Sequence, residues 1–159
     1  KVQWTVPFTG FPVIQNYCIT KKKQIKTTLL GSINRTVLQE ETPVVNPTKQ
    51  ANSISPNVIH SLDAAALMMT VNACTLAGID GLQFIHDSYG CHAGDMEAMS
   101  RILREQFVRL YTHDVAGDLA AQFAAQVPDE EDAAQVVASV PAKGSLDLST
   151  VQRSLYFFC

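Results

Sequence analysis

The spacing of apolar residues changes twice along the chain. From Gly10 to Tyr17 the run Gly-Phe-Pro-Val-Ile-Gln-Asn-Tyr carries β-branched and aromatic side chains without a helical repeat, which predicts extended backbone. Gln24–Leu30 and Ile33–Leu38 read as two further strands with a bend near Gly31-Ser32-Ile33-Asn34, so a β-hairpin is expected over about residues 24–38. Residues 40–56 hold Pro43, Pro47 and Pro56 among small polar residues and read as loop. A helical repeat then begins. Val58, Ile59, Leu62, Ala66, Met69 and Ala73 recur at helical spacing, with Asn57 as N-cap and Gly78 as stop. Leu82–His86 reads as a buried strand. Gly94-Asp95 opens a second helix, with an acid near the positive end of its dipole. Its apolar face is Met96, Met99, Leu103, Phe107 and Leu110, and Arg101, Arg104 and Arg109 lie largely off that face. Asp114–Val127 predicts a third helix packing Val115, Leu119 and Phe123. Pro128 to Asp132 reads as an acidic surface turn, and residues 133–138 and 148–154 as short helices around a Pro141-Ala142-Lys143-Gly144 turn. The pattern as a whole is α+β, extended in its first third and mostly helical afterwards.

Composition narrows this picture. A chain of 159 residues, 47% hydrophobic and 17% charged, can bury a core as one domain. No apolar run reaches the roughly 20 residues that cross a bilayer, so no membrane partner is expected. The chain starts at Lys1 without a signal peptide, which leads to the expectation of a fragment or processed product. Cys18, Cys74, Cys91 and Cys159 are far apart and form no Cys-x-x-Cys pair, which argues against a zinc ribbon or a disulfide framework. Cys91-His92 are neighbours that would point to opposite faces of a strand, a poor ligand pair. Net charge is −3 but uneven: residues 1–50 hold seven Lys/Arg against Glu40 and Glu41, and residues 51–159 hold five against thirteen Asp/Glu. Lys21-Lys22-Lys23 can meet a polyanion or simply form a solvated turn.

Candidate chemistry centres on Ile85-His86-Asp87-Ser88-Tyr89-Gly90. An apolar strand, a turn and a glycine predict strand, tight turn, strand, with Asp87 at the tip. A carboxylate held there can fix a divalent cation against phosphate oxygens. It can equally serve only the turn's backbone preference. His60 reads as a helix-face histidine beside Ser61 and Asp63. The end, Leu155-Tyr156-Phe157-Phe158-Cys159, is too apolar for a free terminus and is expected to dock near the Asp87 turn, with the Cys159 carboxylate close to it.

These segments, taken in order, resemble the C-terminal portion of single-subunit DNA-directed RNA polymerases of the bacteriophage and mitochondrial type. Trp4, Pro7 and Thr9-Gly10-Phe11-Pro12 resemble the opening of that region. Ser55-Pro56-Asn57-Val58-Ile59-His60-Ser61-Leu62-Asp63 resembles its Pro-Asn-x-x-His-Ser helix start, and Ile85-His86-Asp87-Ser88 its catalytic palm turn. Arg104 to Leu110, Val140 to Gly144 and the aromatic end resemble its closing segments. The resemblance implies a polymerase palm portion with an antiparallel catalytic hairpin, preceded by an extended, hairpin-containing end of the fingers. Residues 1–56 would then be the end of the fingers and 57–159 the C-terminal half of the palm. It implies template-dependent nucleotidyl transfer with two Mg²⁺ ions about 3.5–4 Å apart, in which an RNA 3′-hydroxyl attacks and pyrophosphate leaves. Asp87 would be one of two metal-binding aspartates, the other lying outside this chain. His86 and His60 would join Asp87 in the catalytic set, and His60 and Ser88 would meet nucleic acid. The hairpin at 24–38 would be the promoter specificity loop, with no base contact assigned to a single residue. Implied partners are template and promoter DNA, RNA product, nucleoside triphosphates and the N-terminal remainder of the polymerase. The triphosphate-binding Lys and Arg belong to that remainder, so the isolated chain is expected to be inert.

Two other readings remain at this point. A family A DNA polymerase palm is related, but there the aspartate is usually followed by Glu, whereas Ser88 follows here. A non-catalytic nucleic-acid-binding module would suit the basic first third. Ser88-Tyr89-Gly90 favours a phage origin, and so the cytoplasm of an infected bacterial host, over the mitochondrial matrix.

Overall fold

The computed structural model describes residues 1–157, with Leu29 in its backbone only. Among the described residues three antiparallel two-stranded sheets and five α-helices follow one another. β1 (Val2–Thr5) pairs with β2 (Pro12–Gln15), and β3 (Cys18–Leu29) with β4 (Ser32–Val45). α1 (Pro47–Leu76) follows, then β5 (Gln83–Ile85) paired with β6 (Ser88–Gly90). A 3₁₀ turn at Ala93–Asp95 leads into α2 (Met96–Thr112), followed by α3 (Val115–Ala124), α4 (Glu130–Ala138) and α5 (Thr150–Arg153).

The expected hairpin is present and longer than predicted. β3 and β4 stay in register from Thr20↔Glu41 to Leu29↔Ser32 and turn through Leu30-Gly31. Both turn residues have positive φ, 51° and 80°, the two-residue geometry whose twist matches a right-twisted ribbon. Every residue of β4 except Thr42 is exposed. A ribbon without a core of its own is marginal in water, so its root matters. There the Asn46 N–H donates to the Tyr17 carbonyl at 2.9 Å, and Thr42 Oγ1 donates to the Ile19 carbonyl at 2.7 Å.

Residues 40–56 are not a loop. β4 runs to Val45, and α1 begins ten residues before the predicted start at Asn57. Asn46 is the N-cap, accepting from the Lys49 N–H at 3.0 Å, and Pro47 occupies the first turn, where its missing N–H costs nothing. Pro56 lies inside the helix. It removes one backbone hydrogen bond there, but tertiary bonds hold the turns around it. Gln15 and Gln50 exchange side-chain-to-carbonyl hydrogen bonds at 2.7 and 2.8 Å, and Gln50 Oε1 accepts from the Tyr17 N–H. Asn57 Nδ2 donates to Gln15 Oε1 at 2.7 Å and to the Tyr17 hydroxyl at 3.2 Å. Asn57 thus ties α1 to β2 rather than capping it, and the expected division after residue 56 falls within a continuous helix.

The main core lies where β1, α1, α2 and α3 meet. Trp4 and Val6 pack with Leu62, Ala65, Ala66 and Met69 of α1, Leu110 of α2 and Leu119 of α3. Trp4 is 2% exposed, and its indole N–H donates to Ser61 Oγ at 3.1 Å. Gln122 of α3 and Gln126 in the turn after it bond the backbone of Thr5 and Gln3, covering the free edge of β1. A second cluster, Cys74, Ile79, Met99 and Ile102, joins the end of α1 to α2, with Leu82 and Tyr89 against it.

Two smaller expectations change. The acidic run at 129–132 is not a surface turn. Asp129 caps α4, accepting from the Glu131 and Asp132 N–H groups, and the remaining acids sit in the first turn, where the helix dipole favours them. Leu82–His86 is not a buried strand. β5 holds three residues, of which Gln83 and Ile85 are exposed. A lone hairpin has one face on the core and one open, so its side chains alternate. Lys143 donates to the carbonyls of Thr112 and His113, closing the C-terminus of α2.

Candidate active site

β5 and β6 pair Gln83↔Gly90, Phe84↔Tyr89 and Ile85↔Ser88, which leaves His86-Asp87 as the two-residue turn. Asp87 stands at the tip with an exposed side chain, as the sequence predicts. His86 has a φ of 54°, a left-handed conformation that non-glycine residues hold at a cost on the order of 1–3 kcal/mol. The hairpin is anchored from its inner face: Phe84 and Tyr89 meet edge to face at 5.1 Å, and Tyr89 and Leu82 rest on the second core cluster.

A cavity of about 380 Å³ opens beside the turn. It is lined by Asp87 and Ser88 of the hairpin, by Met99, Leu103 and Arg104 of α2, and by Leu155–Phe157. The tail therefore reaches the Asp87 turn, as expected, but it is not buried throughout. The expected burial fails for two of its side chains: Leu155 and Tyr156 are 91% and 82% exposed to solvent. Phe157 alone of these three is half-buried, edge to face with Phe107 at 4.9 Å. Phe158 and Cys159, and with them the expected place of the terminal carboxylate, lie outside the described residues.

His60 does not line this cavity. It is an exposed residue of α1, next to Ser61, whose hydroxyl is engaged with the Val58 carbonyl and the Trp4 indole. Asp63 lies one turn along the same helix. Burial pushes the Tyr89 phenol above its ordinary pKa, and the carboxylates of Asp63 and then Asp87 push it further. Burial followed by Asp63 does the same to Tyr111. Both phenols therefore stay neutral and able to donate. Burial, followed by the Cys91 thiol, raises the pKa of Cys74, and Cys18, Cys74 and Cys91 are free thiols. Cys91 Sγ lies 3.6 Å from Met96 Sδ. Among the described residues no three His, Cys, Asp or Glu side chains gather as a metal-binding group. The turn presents one hard oxygen ligand, Asp87, and a site for two divalent ions needs more than one.

Two residues at this site escaped the sequence reading. Asp63 appeared only as a neighbour of His60, although its spacing from His60 already puts both on one helix face. Arg104 was set apart from the apolar face of α2. Its place next to Leu103 and one turn before Phe107 puts its stem on the rim of that face.

The family described as DNA-dependent RNA polymerase matches residues 1–139. This chain belongs to that family. Among its relatives, the chloroplastic DNA-directed RNA polymerase 3 of Nicotiana sylvestris is 41% identical over 99% of this chain. The mitochondrial DNA-directed RNA polymerase 1 of the same plant is 38% identical over 99% of it. The chain spans about 15% of the length of each. DNA-directed RNA polymerase 1A of Nicotiana tabacum is 38% identical, and there the match covers 99% of this chain and 94% of the relative.

Proposed function

We propose that this chain is the C-terminal catalytic portion of a DNA-directed RNA polymerase and supplies one carboxylate, Asp87, to its nucleotidyl-transfer site. The observation that carries the reading is the exposed Asp87 at the tip of a two-residue hairpin turn, over a cavity, in a member of this family. An aspartate oxygen is the donor type that Mg²⁺ takes, and Mg²⁺ when bound lowers the pKa of an attacking hydroxyl and neutralises charge on phosphate oxygens. This chain's part is to hold the Asp87 carboxylate at a fixed point, with a further aspartate coming from the rest of the polymerase. Residues 1–56 form the end of the fingers and 57–159 the C-terminal half of the palm, with α1 running through the division. His86, beside Asp87 in the turn, and His60 of α1 join Asp87 in the catalytic set, Ser88 and His60 meet nucleic acid, His60 from outside the cavity, and the partners are template and promoter DNA, RNA and nucleoside triphosphates. The relatives are named for chloroplasts and mitochondria, which supports an organellar setting rather than the phage origin favoured from Ser88-Tyr89-Gly90. Their names also speak for an RNA polymerase over a family A DNA polymerase.

The test is extension of a primed RNA–DNA hybrid with Mg²⁺. The 159-residue chain alone is expected to add no nucleotide, and adding the N-terminal remainder of the polymerase is expected to restore synthesis. Extension by the chain alone, or none after complementation, overturns the reading.

The β3–β4 ribbon carries a separate expectation. Lys26 stands directly opposite Arg35, a like-charge pair that is unfavourable without an anion between them. Lys22 lies on the same face, four residues from Lys26. We read this ribbon as the promoter specificity loop. Exchanging residues 24–38 for those of a relative is expected to change promoter choice in run-off transcription and to leave elongation on a preformed hybrid unchanged, because base readout and phosphoryl transfer use different groups. Equal loss of both activities would make the ribbon merely structural.

A further inference from the structure

Arg104 is the one α2 side chain that reaches the backbone of the C-terminal segment in the described hydrogen bonds. Its Nη1 donates to the Val151 carbonyl at 2.7 Å and to the Ser154 carbonyl at 2.6 Å. These carbonyls belong to the last turn of α5 and the residue that ends it, where helical carbonyls lack an intrahelical donor. The guanidinium carbon lies 5.3 Å from the centre of the Phe157 ring, which also meets Phe107, one turn further along α2. A planar, permanently charged group thus closes a four-residue helix and carries an aromatic ring on its face. α5 has no core of its own: Val151 is half-buried and its other residues are exposed. Its position, and that of the three residues after it, rests on α2. Those three residues line the same cavity as Asp87.

We propose that Arg104 is a positioning residue for nucleotide addition: by clamping Val151, Ser154 and Phe157 to α2 it keeps the C-terminal tail in the lining of the cavity that Asp87 also lines. The inference rests on the assignment of Asp87 to the reaction site. Arg104 itself does not touch the reacting atoms in this role. Losing the clamp frees residues 155–157 to leave the cavity, and the reactants lose one of the surfaces that orient them. Misplacement by about 1 Å can cost on the order of a hundredfold in rate. Lys in place of Arg can reach one carbonyl but cannot fork to two and stack as well.

The experiment uses the complete polymerase in four forms besides wild type: Arg104→Ala, Arg104→Lys, a truncation after Ser154, and the truncation combined with Arg104→Ala. Single-nucleotide addition on a preformed hybrid is measured beside thermal midpoint and release of C-terminal residues by carboxypeptidase. Arg104→Ala is expected to slow addition roughly tenfold to a hundredfold with little change in midpoint, and to speed release of the tail. Arg104→Lys is expected to fall between Ala and wild type. The truncation is expected to match Arg104→Ala, and the combined form to be no slower than the truncation, because both remove the same part of the lining. Multiplicative loss in the combined form, unchanged tail release, or a rate that falls only in step with the midpoint overturns the role of Arg104. Absence of addition by wild type itself would instead overturn the polymerase assignment, and tail release would still report on the clamp.

Discussion

Asp87→Asn in the assembled polymerase is expected to lower nucleotide addition by two or more orders of magnitude, roughly what losing a charge at a transition-state site costs, with DNA binding nearly unchanged. The substitution keeps the shape of the side chain and removes its charge. Asn tolerates turns as readily as Asp, so the two-residue connection between Ile85 and Ser88 should survive. The side chain is exposed, so no packing is lost. What disappears is the anionic oxygen ligand at the tip. DNA affinity rests mainly on phosphate contacts spread over many residues. Elongation rate on a preformed hybrid and a filter-binding isotherm separate the two effects. Near-normal elongation by the variant would remove Asp87 from the chemistry.

The second large effect concerns stability. Leu110→Ala is expected to cost about 2–5 kcal/mol, the usual range for emptying a closed core position. Leu110 is fully buried, in the same cluster as Leu62 and Met69 of α1, Leu119 of α3 and Trp4 of β1. Four elements converge on that cluster, and collapse around a void would have to move all of them. Trp4 is the single tryptophan of the chain and is buried, so its emission reports unfolding of this same core. Urea denaturation followed by Trp4 fluorescence measures the loss. Leu155→Ala, at a position 91% exposed, is the control and should stay within about 0.5 kcal/mol. A loss under about 1 kcal/mol for Leu110→Ala would mean that the four elements do not share one core.

The sequence was most legible where a periodic apolar face met a core. On the expected faces of α2 and α3, Met99, Leu103, Leu110 and Leu119 are buried and Phe107, Val115 and Phe123 half-buried, whereas Met96, at the start of α2, is 45% exposed. The Asp87 turn was legible because an apolar run met a polar, turn-forming pair. Legibility failed where tertiary bonds override local preference. Pro47 and Pro56 signal a break, yet Gln50 and Asn57 are bonded to Gln15 and Tyr17 and carry the helix through Pro56. No local pattern announces a partner some forty residues away. The acidic stretch before Ala133 misled for a different reason: the same acids that suit a solvated turn also suit the start of a helix. At the site, Asp87 and Ser88 stood out, whereas Arg104 did not, because its role depends on the carbonyls of Val151 and Ser154, and a carbonyl has no signature in a sequence.

The length of α1 has a consequence for how this region can change. It is a rod of 30 residues, about 45 Å at 1.5 Å per residue. One end is fastened beside the root of the ribbon through Gln50 and Asn57, and the other, at Cys74, beside the hairpin that carries Asp87. A single residue inserted between Asn57 and Ser61 would advance everything downstream by 1.5 Å and rotate it by about 100°. Leu62, Ala65 and Met69 would swing out of the core while the ribbon stayed in place. An insertion at Leu30-Gly31 only lengthens the ribbon. The rod therefore behaves as a ruler whose graduations cannot be altered, and the ribbon as a pointer whose tip can, so that reach can drift while the distance from the ribbon's root to the Asp87 hairpin stays fixed.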